Sequence, residues 1–157
     1  MGKSVGTLMA TKIPFTDREI KRAWDQNLRA ISQVKEQSRT NAHRLLLFYA
    51  VECGLKVLIM KDKRQSRTDG LSSDILTHDI NKLLKELSAQ SDLVLSRTRM
   101  VPVEKYAKKS QDTRIVEAKD FNQMWRYGGK SNRVPDKSIE EKLLKIVEWI
   151  KLELKKT

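Results

Sequence analysis

An all-α bundle of four to five helices in up-and-down order is the fold class this sequence predicts, and three observations predict it. The first is the stretch Asn41–Lys61, NAHRLLLFYAVECGLKVLIMK, which is apolar nearly all the way round a helix, as a central helix covered by its neighbours would be. The second is the recurrence of apolar residues at spacings of three and four on either side of it, in Ile20–Val34 and in Ile139–Leu154. The third is that no run alternates at the two-residue period long enough to argue for a sheet.

The totals fit one domain with a substantial core. The chain has 157 residues, 39% hydrophobic and 33% charged, which is neither a disordered nor a membrane composition. Lysine and arginine number 32 against 20 acidic residues, a formal net charge of +12. That excess suits a polyanionic partner, nucleic acid or an acidic protein, and equally suits solubility alone. A single cysteine, Cys53 in the apolar stretch, leaves no internal disulfide framework and no cysteine-based zinc cluster. Its apolar surroundings favour a buried thiol over a nucleophile. No secretory leader and no membrane span are read from the chain, so a cytoplasmic location is expected.

In chain order, residues 1–16 read as an extended lead-in, with two glycines and Pro14, and residues 17–157 as a single helical domain. Gly2-Lys3-Ser4 lacks the upstream glycine of a phosphate-binding loop, and Gly6 stands where a myristoylation signal needs Ser or Thr. Thr16 or Asp17 caps a first helix, Glu19 suits its positive end, and Ile20, Trp24, Leu28, Ile31 and Val34 form its stripe, with an end expected near Gln37. The second helix is Asn41–Lys61, capped by Thr40 or Asn41. In it Glu52 precedes Lys56 by one turn, the favourable order for an ion pair, although Lys56 reaching into a pocket is the alternative. Asp62–Asp74 reads as a basic loop. Thr77 or Asp79 then caps a third helix carrying Ile80, Leu83, Leu84 and Leu87, which places His78 at a helix N-terminus. Trp24, His43 and Trp149 read as core or groove-lining residues.

A basic irregular segment follows at about 91–135, with a short helix expected within Val116–Trp125. Arg97, Arg99, Lys105, Lys108, Lys109, Arg114, Lys119, Arg126, Lys130 and Arg133 alternate there with Tyr106, Phe121, Trp125 and Tyr127. Cations for phosphates and rings for bases are the components of a single-stranded nucleic-acid surface. The alternative is that the rings anchor the segment to the core while the charges are solvated. Asp136 or Ser138 caps the last helix, whose stripe is Ile139, Leu143, Ile146, Val147, Ile150 and Leu154, with Glu140 and Glu141 in the first turn and Lys155 and Lys156 at the end, as the helix dipole favours.

This order of features resembles the HEPN superfamily, the small helical domains named for higher eukaryotes and prokaryotes nucleotide binding. The resemblance is carried by Tyr49-Ala50-Val51-Glu52-Cys53-Gly54-Leu55-Lys56-Val57-Leu58, by Thr77-His78-Asp79-Ile80 with Leu83 and Leu84, by Trp125-Arg126-Tyr127, and by the helix Ile139–Leu154. It implies a HEPN-like bundle of four or five helices, often a homodimer, that binds nucleotide or RNA. Members act as metal-independent ribonucleases in toxin–antitoxin and antiphage systems, or work beside a nucleotidyltransferase as non-catalytic partners.

The nuclease members place an arginine four to six residues before a histidine near the start of the last helix. Here Arg126 stands in about that position and no histidine follows it, since the only two are His43 and His78. The expectation is therefore a non-catalytic or degenerate domain that binds RNA, nucleotide or a partner protein. An RNase in which Arg126 works with Tyr127, Ser131 or His78 is the enzymatic alternative, and a protein-interaction subunit of a defence complex is another. The residues expected to bind are His78, Asp79, Arg126, Tyr127, Lys130, Arg133, Arg97 and Arg99, with no metal ligand and no cofactor.

Overall fold

The computed structural model describes residues 13–101, 114–132 and 134–156. The lead-in up to residue 12, Lys105, Tyr106, Lys108, Lys109 and Arg133 lie outside the described residues. The fold is mostly helical, with helices α1 (Asp17–Ser32), α2 (Asn41–Asp62), α3 (Ile80–Glu86), α4 (Phe121–Arg126) and α5 (Asp136–Lys155). A two-stranded antiparallel sheet joins β1 (Thr98–Arg99) to β2 (Ile115–Val116), with Thr98 opposite Val116 and Arg99 opposite Ile115.

α1 starts on a reciprocal cap. The Glu19 N–H donates to Thr16 Oγ1 at 3.2 Å and the Thr16 N–H donates to Glu19 Oε1 at 2.9 Å. That backbone donation, followed by the Thr16 hydroxyl, holds the Glu19 carboxyl below its ordinary range. The helix stops at Ser32, short of the expected Gln37, and a 3₁₀ turn follows at Glu36–Ser38. The polar run Lys35–Arg39 offers no apolar face to hold a further turn against the core, and the chain must reverse there to enter α2.

α2 packs against each of the four other helices among the described residues. Leu47, Phe48, Leu55, Ile59 and Met60 are fully buried in it, each such side chain contributing about 1.5–3 kcal/mol relative to exposure. Gly54 permits the closest approach: a Cβ there would lie 2.5 Å from Trp24 Cε3, so α1 can seat its tryptophan only on a bare backbone. At the head of α2 the Thr40 N–H donates to His43 Nδ1 at 2.9 Å, so His43 serves as a capping side chain and not as a core residue.

α1 runs antiparallel to α2, as the bond from the Asp17 N–H to the Ser66 carbonyl after the end of α2 requires. α5 runs parallel to α2. Glu140 reaches Arg44 near the start of α2, and Lys61 near its end donates to the Lys156 carbonyl just past α5. The return leg between them is not one helix. It is divided among α3, the small sheet and α4, where strands of two residues are too short to leave a periodic signal in the sequence.

Glu140 is not a first-turn acid answering the helix dipole. It lies on the buried face with Ile139 and Leu143 and is 0% exposed. Its carboxylate accepts from Arg39 Nη1 and from Arg44 Nε, each at 3.0 Å. Arg44 Nη1 also donates to Asn41 Oδ1 at 2.8 Å, so two guanidiniums on and before α2 clamp the start of α5.

Candidate functional site

The site grows from one polar face of α2. Tyr49, Glu52 and Lys56 follow at spacings of three and four, which brings them above one another on the helix. Lys56 Nζ donates to Glu52 Oε2 at 2.8 Å, the ion pair expected from the sequence. The other carboxylate oxygen, Oε1, lies 2.6 Å from His78 Nδ1. Burial pushes the Glu52 carboxyl up, but the His78 hydrogen bond and the Lys56 charge outweigh burial and hold it below the ordinary carboxylate range.

Asp79 caps α3, its Oδ1 accepting from the Lys82 N–H at 3.3 Å. His78 therefore sits one residue outside the helix and turns back onto α2. Its side chain is 56% exposed while that of Glu52 is 10% exposed. One edge of the ring is thus fixed on a buried anion, while the side chain as a whole stays more than half exposed. Cys53 lies beside this group, and burial followed by the Glu52 charge pushes its thiol up to about 11, far from a reactive thiolate.

α4 supplies the other half. Arg126 Nη2 donates to the Tyr49 hydroxyl at 2.5 Å, and its guanidinium carbon lies 5.9 Å from the centre of the Tyr127 ring. Among the described residues Tyr127 is a large ring left 76% exposed. The Tyr49 and His78 rings meet edge to face with centres 6.4 Å apart. Tyr49 therefore stands between the imidazole of His78 and the guanidinium of Arg126, making one continuous ledge from Lys56 to Tyr127.

Beyond α4 the basic residues of the irregular segment are drawn together by backbone pairing. The Val101 N–H donates to the Lys130 carbonyl at 2.9 Å, and the Asn132 N–H donates to the Arg99 carbonyl. Arg99 and Lys130 thus sit on neighbouring extended segments, with exposed Arg97 just before β1. Between this sheet and α4 lies an open groove of about 450 Å³, lined by Met100, Arg114, Ile115, Gln123, Tyr127 and Gly128. Trp125 and Phe121 are core residues, and Trp125 Nε1 donates to Asp136 Oδ1 at 2.9 Å. In this segment, then, the anchoring role falls to Phe121 and Trp125 while Tyr127 is left open.

Of the residues expected to bind, His78, Arg126 and Tyr127 share the ledge, and Asp79 supports it by capping α3. Arg97, Arg99 and Lys130 gather at the sheet, and Arg133 lies outside the described residues. Tyr49 and Glu52, which fix the two functional side chains, are not among the residues that the sequence marks for binding. Their signal was the polar i, i+3, i+7 line of Tyr49, Glu52 and Lys56 across an otherwise apolar helix. Among the described residues no group of three His, Cys, Asp or Glu side chains is placed to hold a metal ion, and no helix is long and apolar enough to cross a membrane. In comparisons with known proteins, no family model, no curated protein and no solved structure matches this chain.

Proposed function

We propose that this chain is a cytoplasmic HEPN-like domain that binds RNA or a nucleotide through the Tyr49–His78–Arg126–Tyr127 ledge without efficient catalysis of its own, in a toxin–antitoxin or antiphage setting. The observation that carries the reading is the exposed Tyr127 ring beside a guanidinium that Tyr49 holds in place. A base stacks on the ring, a phosphate meets the cation, and the basic residues at the sheet continue the electrostatic track. The sequence resemblance supplies the class of ligand and the expectation of a homodimer, and the net charge of +12 supplies the long-range attraction.

Titration with labelled single-stranded RNA at two salt concentrations tests this. Affinity should fall as salt rises, Arg126→Ala should reduce the logarithmic salt slope by about 0.7, and Tyr127→Ala should weaken binding by about 1–3 kcal/mol. Absence of binding at low salt, or binding indifferent to salt, refutes the reading.

The Glu52–His78 pair favours a second reading, a metal-independent ribonuclease. A carboxylate-oriented imidazole beside a fixed guanidinium contains a proton carrier and a cation for a developing phosphorane charge. RNA cleavage in the presence of chelator, abolished by His78→Ala and by Arg126→Ala, would establish it. RNA left intact by folded protein would dismiss it.

A further inference from the structure

The hydrogen bond between Glu52 and His78 does more than hold a side chain. Glu52 is an ionised, acceptor-only group at 2.6 Å from Nδ1, so the proton on that edge of the ring belongs to His78. In the neutral imidazole the lone pair is then on Nε2, on the ring edge not bonded to Glu52, in a side chain more than half exposed. An anionic oxygen meets a lone pair unfavourably there, whereas a hydroxyl group donates to it. With the imidazole neutral, the ledge thus offers a cation at Arg126 and an acceptor at His78, on the two sides of Tyr49.

We propose that His78 is a ribose-selecting residue, its Nε2 accepting a hydrogen bond from the 2′-hydroxyl of a ribonucleotide whose phosphate lies on Arg126. The inference rests on the nucleic-acid reading of the ledge and deepens it, because charge and stacking alone do not distinguish RNA from DNA. Glu52 acts as the positioning residue by fixing the tautomer, and Lys56 keeps Glu52 ionised from its other oxygen.

The test compares a short oligouridylate, its 2′-O-methyl counterpart and the matching oligodeoxyuridylate by fluorescence anisotropy in alkaline buffer. One accepted hydrogen bond predicts that wild type binds the oligouridylate about threefold to tenfold more tightly than either of the others. In His78→Ala that ratio should fall to near one while binding still weakens with salt. Nitrogen-15 spectra of the imidazole give a readout that affinity cannot: the Nδ1–H tautomer in wild type, and a shift toward mixed tautomers in Glu52→Gln.

Salt-dependent binding with a wild-type ratio near one, a ratio unmoved by His78→Ala, or an Nε2–H tautomer in wild type overturns the role of His78. Those outcomes leave the ledge as a nucleic-acid surface. Failure of all three oligonucleotides to bind overturns the ledge reading itself, and the inference with it.

Discussion

Glu140→Ala should be among the most destabilising single substitutions in this protein. The wild-type carboxylate is fully buried and accepts 3.0 Å bonds from two guanidiniums whose side chains are only 13% and 14% exposed. Removing it leaves two like charges facing each other in a site largely shielded from water. Breaking a buried pair in this one-sided way costs about 3–5 kcal/mol, out of a total stability on the order of 5–15 kcal/mol. For a chain of this size that corresponds to a fall in Tm of roughly 6–20 °C. Urea unfolding followed by far-ultraviolet circular dichroism measures it. A matched control is Asp25→Ala, which breaks the exposed Lys21–Asp25 pair and should cost no more than about 0.5 kcal/mol. A further arm replaces Glu140, Arg39 and Arg44 together by Met or Leu, which should recover most of the loss because no unpaired charge remains. A loss below about 1 kcal/mol for Glu140→Ala would show that the two arginines find water or another anion, and the clamp argument would fall.

Three other outcomes are expected. Gly54→Ala should destabilise by about 1–3 kcal/mol by forcing Trp24 away from α2, with a blunted near-ultraviolet tryptophan signal; unchanged stability would mean the two helices separate freely. The Glu52 carboxyl is held below its unfolded value, so its contribution is present above the ordinary carboxylate range and is lost as pH falls through and below it. Glu52→Gln should therefore flatten the acid limb of the stability–pH curve, and parallel limbs in the two proteins would contradict the assignment. Cys53, with its thiol pushed up to about 11, should react with a disulfide reagent at neutral pH far more slowly than an unfolded control, and equal rates would refute its protection.

The helical frame was legible because its signals are local and repetitive. Thr16 with Glu19, the apolar run of α2, Asp79 before Ile80 and the stripe of α5 each identify an element from neighbours in the chain. The ends and the return leg were less so. α1 stops at Ser32 because the chain must reverse, a tertiary demand that its own stripe, which continues to Val34, does not reveal. The sheet depends on pairing residues 98–99 with 115–116, and strands so short have no period to read.

The site divides in the same way. His78, Arg126 and Tyr127 could be selected as polar or aromatic side chains without a place in any stripe. Their supports could not, because Glu52 was already satisfied by Lys56, and its second partner lies 26 residues further along. Glu140 differs from its sequence expectation for a related reason: an acid near a helix start answers the dipole by default, and only contacts from Arg39 and Arg44, about a hundred residues earlier, show that it faces inward.

That clamp also bears on how the chain can change. Arg44 and Glu140 stand 96 residues apart in sequence, so forming the contact closes a very large loop. The entropy of closing a loop grows only with the logarithm of its length, and doubling it costs roughly 0.6 kcal/mol. The register of α5 against α2 is set by Glu140 at one end and Lys61 at the other, not by the length of the connection. The exposed described turns between α3 and α5, away from the buried Phe121 and Trp125, are therefore open to insertion and charge replacement at low thermodynamic cost. The groove-bearing face can diverge toward new ligands while the helices beneath it stay in place.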